Sequence, residues 1–178
     1  MSKYKNMTEK ELKIKEIRKD HPYAKIIDYS QVNLNNDEVF FIKLDDLIKE
    51  KVEEINGLVL FYFDILSIIG LYNKKSFFLK AEYSIKKIEN SFFINIKLQA
   101  DINLDCDLCG NNFVYNFEFD TQEIHSKNNY LDFKDNQDIA YFYFNDDKID
   151  IGRIILENFI SNLPLKFTDN CNIKLNKL

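Results

Sequence analysis

Glycine, proline, cysteine and histidine are scarce in this chain and tryptophan is missing: 178 residues include four Gly, two Pro, three Cys, two His and no Trp. Four scattered glycines leave little room for a Gly-rich loop that cradles phosphates. His21 precedes Pro22 in a charged region and His125 lies in a polar stretch, with no nucleophile motif nearby. A Ser/His or Cys/His catalytic device therefore has little to build on, and the chain reads as non-enzymatic. An odd cysteine count without a secretory leader argues against a disulfide framework. "MSKYKNMTEKELKIKEIRKD" has no apolar core of an export signal, which gives a cytoplasmic expectation. The longest apolar run, "LVLFYFDILSIIGL" from Leu58 to Leu71, is interrupted by Asp64 and is shorter than the ~20 residues a membrane span needs. It reads as a core segment, with strand and buried helix both open. Neither a membrane nor a small-molecule substrate is expected.

What the chain does have is apolar mass and acid. Hydrophobic residues make up 46 % and aromatics 15 %, all Phe and Tyr, which a disordered chain would not carry. The net charge of −5 turns the expectation toward a protein partner, because phosphate contacts require Lys and Arg. The exception is the N-terminus, where Lys3 to Lys19 hold seven basic and three acidic residues. Thr8 and Glu11 have capping-box spacing there, predicting a short helix that ends before Pro22. Lys10, Lys13, Arg18 and Lys19 on it are candidate RNA or partner contacts, against the alternative of a solvated surface helix. Residues 1–30 are read as this basic extension and 31–178 as the domain.

Apolar residues at Leu44, Leu47, Ile48, Val52 and Ile55 predict a second helix, with Gly57 as its stop. Phe77, Leu79, Ala81, Tyr83 and Ile85 then alternate with mostly polar residues. After a turn at Glu89–Ser91 the alternation resumes as Ile94, Ile96, Leu98, Ala100, Ile102 and Leu104. Phe113, Tyr115, Phe117 and Phe119 continue it. Period-two patterning of this length predicts long antiparallel strands with one buried face. A polar loop at Ser126–Asp138, a strand "IAYFYF" and a helix capped by Asp150, with an Ile151, Ile154, Ile155, Phe159 stripe and Pro164 at its end, complete the reading. Paired acids Asp45–Asp46 and Asp146–Asp147 read as caps or turns. The fold class is α+β: one domain on an antiparallel sheet, or a partly closed barrel, with a long central hairpin and flanking helices.

The hairpin turn itself is "CDLCG", Cys106 to Gly110. Two thiols at this spacing can reach one zinc ion at ~2.3 Å, with Cys171 as a third ligand and His125, Asp105 or Asp107 as weaker candidates. The other reading is that Cys106 continues the buried alternation as a small hydrophobe and no metal is held. A redox pair would open a helix in a βαβ unit, which this context does not provide.

A long strand ending in a Cys-x-x-Cys turn, an aromatic strand, and "IDIGRIILENFISNLPLKFTDNC" together resemble the YceD family. Cys106 and Cys109 match its turn, and Asp150, Glu157, Leu163 and Pro164 its last helix and terminator. Cys171 falls near its C-terminal cysteines. The strongest resemblance covers residues 77–171. Leu108 stands where the family has Arg, and Gly110 where it has Leu. The resemblance implies a non-enzymatic role in accumulation of large-subunit ribosomal RNA. The implied partner is a ribosomal protein or precursor of the large subunit, with the RNA itself as the alternative.

Overall fold

The computed structural model describes residues 8–32, 39–49, 51–64, 67–68, 71–72, 75–126, 140–143 and 147–169. In chain order they form α1 (Glu9–Asp20), β1 (Lys25–Asp28), a 3-10 turn (Tyr29–Gln31), β2 (Phe41–Lys43), α2 (Asp45–Ile48) and β3 (Glu54–Phe63). Then come β4 (Ser67–Ile68), β5 (Leu71–Tyr72), β6 (Phe77–Ile88), β7 (Ser91–Asp105), β8 (Asn112–Ser126), β9 (Ala140–Tyr143), β10 (Lys148–Asp150) and α3 (Ile151–Ser161).

One six-stranded sheet in the order β1-β3-β6-β7-β8-β9 carries the molecule. Its four central strands are antiparallel, while β1 and β9 join the two edges in parallel. A partly closed barrel does not form, since among the described residues the sheet stays open between those edges. The α+β reading and the long hairpin hold. The expected loop at Ser126–Asp138 lies almost wholly outside the described residues. So do Asp146 and Cys171.

Strand parity sets the core. Phe77, Leu79, Ala81 and Ile85 of β6 and Ile94, Ile96, Leu98, Ile102 and Leu104 of β7 are buried, with polar residues between them facing out. Against this inner face α3 lays Ile151, Ile155, Leu156 and Phe159. Phe159 is the hub, its ring 5.5 Å from Phe63, 6.2 Å from Phe77 and 5.1 Å from Phe117. Such an aromatic removes enough apolar area from water to contribute about 2–3 kcal/mol.

β3 behaves differently, and its burial explains the continuous apolar run. Val59, Phe61 and Phe63 face the core, while Leu60 and Tyr62, on the opposite face, are also buried. α1 lies on that second face, where Lys10 sits over the Tyr62 ring at 4.7 Å. A strand covered on both faces needs no polar alternation. The part of the run from Val59 to Phe63 is therefore core, as expected, and no helix among the described residues is long and apolar enough to cross a membrane.

The predicted helix from Leu44 to Ile55 is the clearest correction. Among the described residues of that segment only Asp45–Ile48 is helical, and Ile55 and Gly57 belong to β3. Ten consecutive cross-strand pairs, Glu54↔Lys86 to Phe63↔Phe77, override a local period that had no helix-favouring cap. Gly57 is not a helix stop; it pairs with Tyr83, whose ring fills the space a side chain would need.

Asp150 fixes the start of α3 more firmly than a simple cap. Its Oδ1 accepts from Arg153 N–H at 3.0 Å and from Phe40 N–H at 3.0 Å, and its Oδ2 from Val39 N–H at 3.0 Å. One carboxylate thus ties the last helix to the segment before β2. Gly152, beside it, donates to Phe40 C=O at 3.2 Å, and a Cβ there would stand 2.8 Å from the Phe40 backbone nitrogen. Gly152→Ala gains about 1 kcal/mol of helix propensity. Overpacking costs about 1–3 kcal/mol and meets backbone, which cannot swing away. The expected result is a net loss of stability, checked by thermal unfolding; a stabilised Gly152→Ala variant would contradict this packing.

Candidate functional site

The hairpin of β7 and β8 runs in unbroken register from Ser91↔Ser126 to Asp105↔Asn112 and ends in the cysteine turn. Gly110 N–H donates to Cys106 C=O at 2.8 Å, and Cys106 N–H to Asn111 C=O at 2.8 Å. Gly110 adopts φ +73°, a left-handed conformation that glycine takes at no steric cost. The turn leaves the two thiols in different surroundings: Cys106 is 2 % exposed and Cys109 is exposed.

After α3 the chain returns to this turn. Asp107 N–H donates to Phe167 C=O at 2.8 Å, and Phe167 N–H donates to Asp107 Oδ2 at 2.6 Å. The Phe167 ring meets Tyr115 edge-on at 5.1 Å, and Asp169 N–H donates to Cys106 Sγ at 3.4 Å. Residues 163–169 thus strap the hairpin tip to the helix. Nothing local in the sequence announces this, since the partners stand more than 50 positions apart.

The metal reading fits the described residues only in part. Two thiols are at the turn, but no group of three or more Cys, His, Asp or Glu among the described residues is arranged to hold an ion. Asp107 uses its carboxylate on Phe167 N–H. His125 is excluded as a ligand of this turn: it sits at the far end of β8, roughly 40 Å away along a strand rising about 3.3 Å per residue. Cys171 is outside the described residues.

His125 belongs instead to a buried polar cluster that sequence reading missed. Its Nε2 lies 2.9 Å from Glu123 Oε2, and Glu123 Oε1 accepts from Asn158 Nδ2 at 2.8 Å. Glu123 is 4 % and His125 8 % exposed, and the imidazole stacks on Phe142 at 5.0 Å. Both lie on the parity of Phe117 and Phe119, so extending that alternation would have placed them facing α3. The cluster ties α3 to the end of β8 and satisfies groups that burial would otherwise penalise.

Of the candidate contact residues on α1, Lys10 and Lys13 turn toward the body. Lys10 pairs with Asp28, and Lys13 Nζ reaches Ser76 O and Oγ at 3.2 Å each. Arg18 and Lys19 occupy the last turn, exposed. The capping box at Thr8 and Glu11 forms as expected.

Two outcomes follow from these placements. Cys106→Ser buries a hydroxyl and should cost about 1–3 kcal/mol. Cys109→Ser, at an exposed site, should stay within about 0.5 kcal/mol. Denaturant unfolding compares them, and equal losses together with stoichiometric zinc would assign the turn to a metal. The second concerns α1. The hydrogen bond to Asp28 raises the Lys10 ammonium above its usual range, with burial opposing. Burial pushes the Asp28 carboxyl up, but hydrogen bonds from Lys10 and Ser30 outweigh it and hold the group below the usual range. A depressed carboxyl stabilises above its unfolded value and loses that contribution as pH falls through its folded value. Asp28→Asn, which mimics the acid form, should speed hydrogen exchange in α1 at neutral pH while β7 stays protected. Unchanged α1 exchange would show that the pair does not dock the helix.

Comparison with known proteins adds one finding: residues 94–175 match the family model described as "Large ribosomal RNA subunit accumulation protein YceD". No curated protein and no solved structure matches the chain. The matched segment takes in most of β7, the cysteine turn, β8, α3 and the strap. Over these residues, somewhat less than half of the chain, the sequence is similar to that family, and the cysteine turn and the Asp150-led helix both lie inside the matched segment.

Proposed function

We propose that the protein is a non-enzymatic cytoplasmic factor that supports accumulation of large-subunit ribosomal RNA and assembly of the large subunit, acting through protein contacts. The observation that carries this reading is the family match across the hairpin, its turn and the last helix. Its acidic balance supports a protein partner, since negative charge speeds encounter with basic ribosomal proteins and opposes binding to RNA phosphates. The partner would be a ribosomal protein or precursor particle of the large subunit. Zinc in the cysteine turn would add rigidity but is not required by this role.

A second reading, direct RNA binding, is favoured only by α1. Lys10 and Lys13 have intramolecular partners there, which leaves Arg18 and Lys19 of the candidate contacts exposed to phosphates. Depleting the protein should lower the large subunit and its RNA selectively in a sucrose-gradient profile; an unchanged profile would overturn the role. Arg18→Glu with Lys19→Glu should leave complementation intact. Loss of complementation with salt-sensitive RNA binding in the wild type would favour the RNA reading.

A further inference from the structure

Among the described residues, the far edge of the sheet is open over most of β8. β9 pairs with β8 only from Glu123 to Ser126, and among the described residues no strand pairs with the outer side of Asn112–Gln122. Eleven residues at about 3.3 Å each make roughly 35 Å of edge, whose outward N–H and C=O groups have no strand partner among the described residues. Edges of this length are usually blunted by proline, charged side chains, a bulge or a covering segment. Between Asn112 and Gln122 the register is unbroken, proline and lysine are missing, and the blunting charges are the carboxylates of Glu118 and Asp120.

The exposed charges on the edge strand itself, from Asn112 to Gln122, are Glu118 and Asp120, and the strand carries no Lys or Arg. The nearest cation across the sheet is Lys97 of β7, opposite Asp120 and beside Glu82. Glu118 and Asp120 are exposed on the outer face of β8, while Tyr115 and Phe119 on its inner face are half-buried. A strand laid along this edge would alternate in the same way, one set of side chains beside the carboxylates and the other beside the aromatic rings. A second copy of β8 would place acid against acid, which disfavours self-pairing.

We infer that the open edge of β8 takes up an extended protein segment of alternating basic and apolar residues, which adds to the sheet as a strand. Backbone hydrogen bonds supply attachment, and the carboxylates select a basic occupant over an acidic one or a nucleic acid. The inference rests on the proposed protein-contact role for the nature of the partner, and it gives that role a surface.

The probe is a blocked octapeptide of alternating Lys and Val, compared with the same peptide N-methylated at every second residue, which keeps the charge but removes strand pairing. The full-length protein should bind the first peptide with slowed amide exchange confined to Asn112–Gln122. The methylated peptide should bind at least about tenfold more weakly, a difference of about 1.4 kcal/mol. Glu118→Lys with Asp120→Lys, both at exposed positions, should weaken binding to a similar degree without altering the unfolding midpoint. Equal binding of the two peptides, protection elsewhere, or tighter binding of a single-stranded RNA octamer would overturn the inference. Failure of the peptide to bind, with depletion still lowering the large subunit, would remove this interface and leave the role intact.

Discussion

Fifteen consecutive cross-strand pairs between β7 and β8 are the constraint from which the remaining architecture follows. A register error of one residue would turn Ile94, Ile96, Leu98, Ile102 and Leu104 outward together, so burial fixes the pairing along its whole length. The same length creates a problem. β6 pairs with β7 only as far as Lys80↔Gln99, so the distal part of the hairpin extends past its neighbour with an apolar inner face. The strap from Leu163 to Asp169 covers that face, and its contacts at Asp107, Tyr115 and Cys106 hold the tip. The cysteine turn is the point where hairpin and strap are tied. It lies inside the segment that matches the family.

Asp150 and Phe159 serve the same end from the helix side. The carboxylate joins the first turn of α3 to Val39 and Phe40, and the ring fills the space between β3, β6 and β8. Glu123, His125 and Asn158 add a polar tie at the opposite end from the strap. α3 is thereby held along its length over a sheet whose outer face is covered by α1 at β3 and is polar and exposed along β7 and β8.

What could be read from the sequence was governed by distance along the chain. The alternation in β6, β7 and β8, the Thr8–Glu11 capping box and the Asp150 cap are local patterns, and each formed as expected. The segment from Leu44 to Ile55 has a local helical period, but most of it yields to pairing with β6, a partner about thirty residues away. The strap and the Lys10–Asp28 pair join residues far apart in sequence and leave no local trace. The candidate site was half legible. The turn and Cys106 burial followed from spacing and parity, whereas the partner that closes over it came only with the fold. His125 shows the same limit, since its residue type suggested a metal ligand and its strand position placed it at the other end of β8.

The most direct test of the account is a photo-crosslink in living cells from a benzoyl-phenylalanine replacing Glu118, on the exposed face of the β8 edge. The account expects a crosslink to a basic large-subunit ribosomal protein, identified by mass spectrometry and lost on Asp120→Lys in the same chain. Crosslinks only to ribosomal RNA, or only to proteins unrelated to the large subunit, would contradict it.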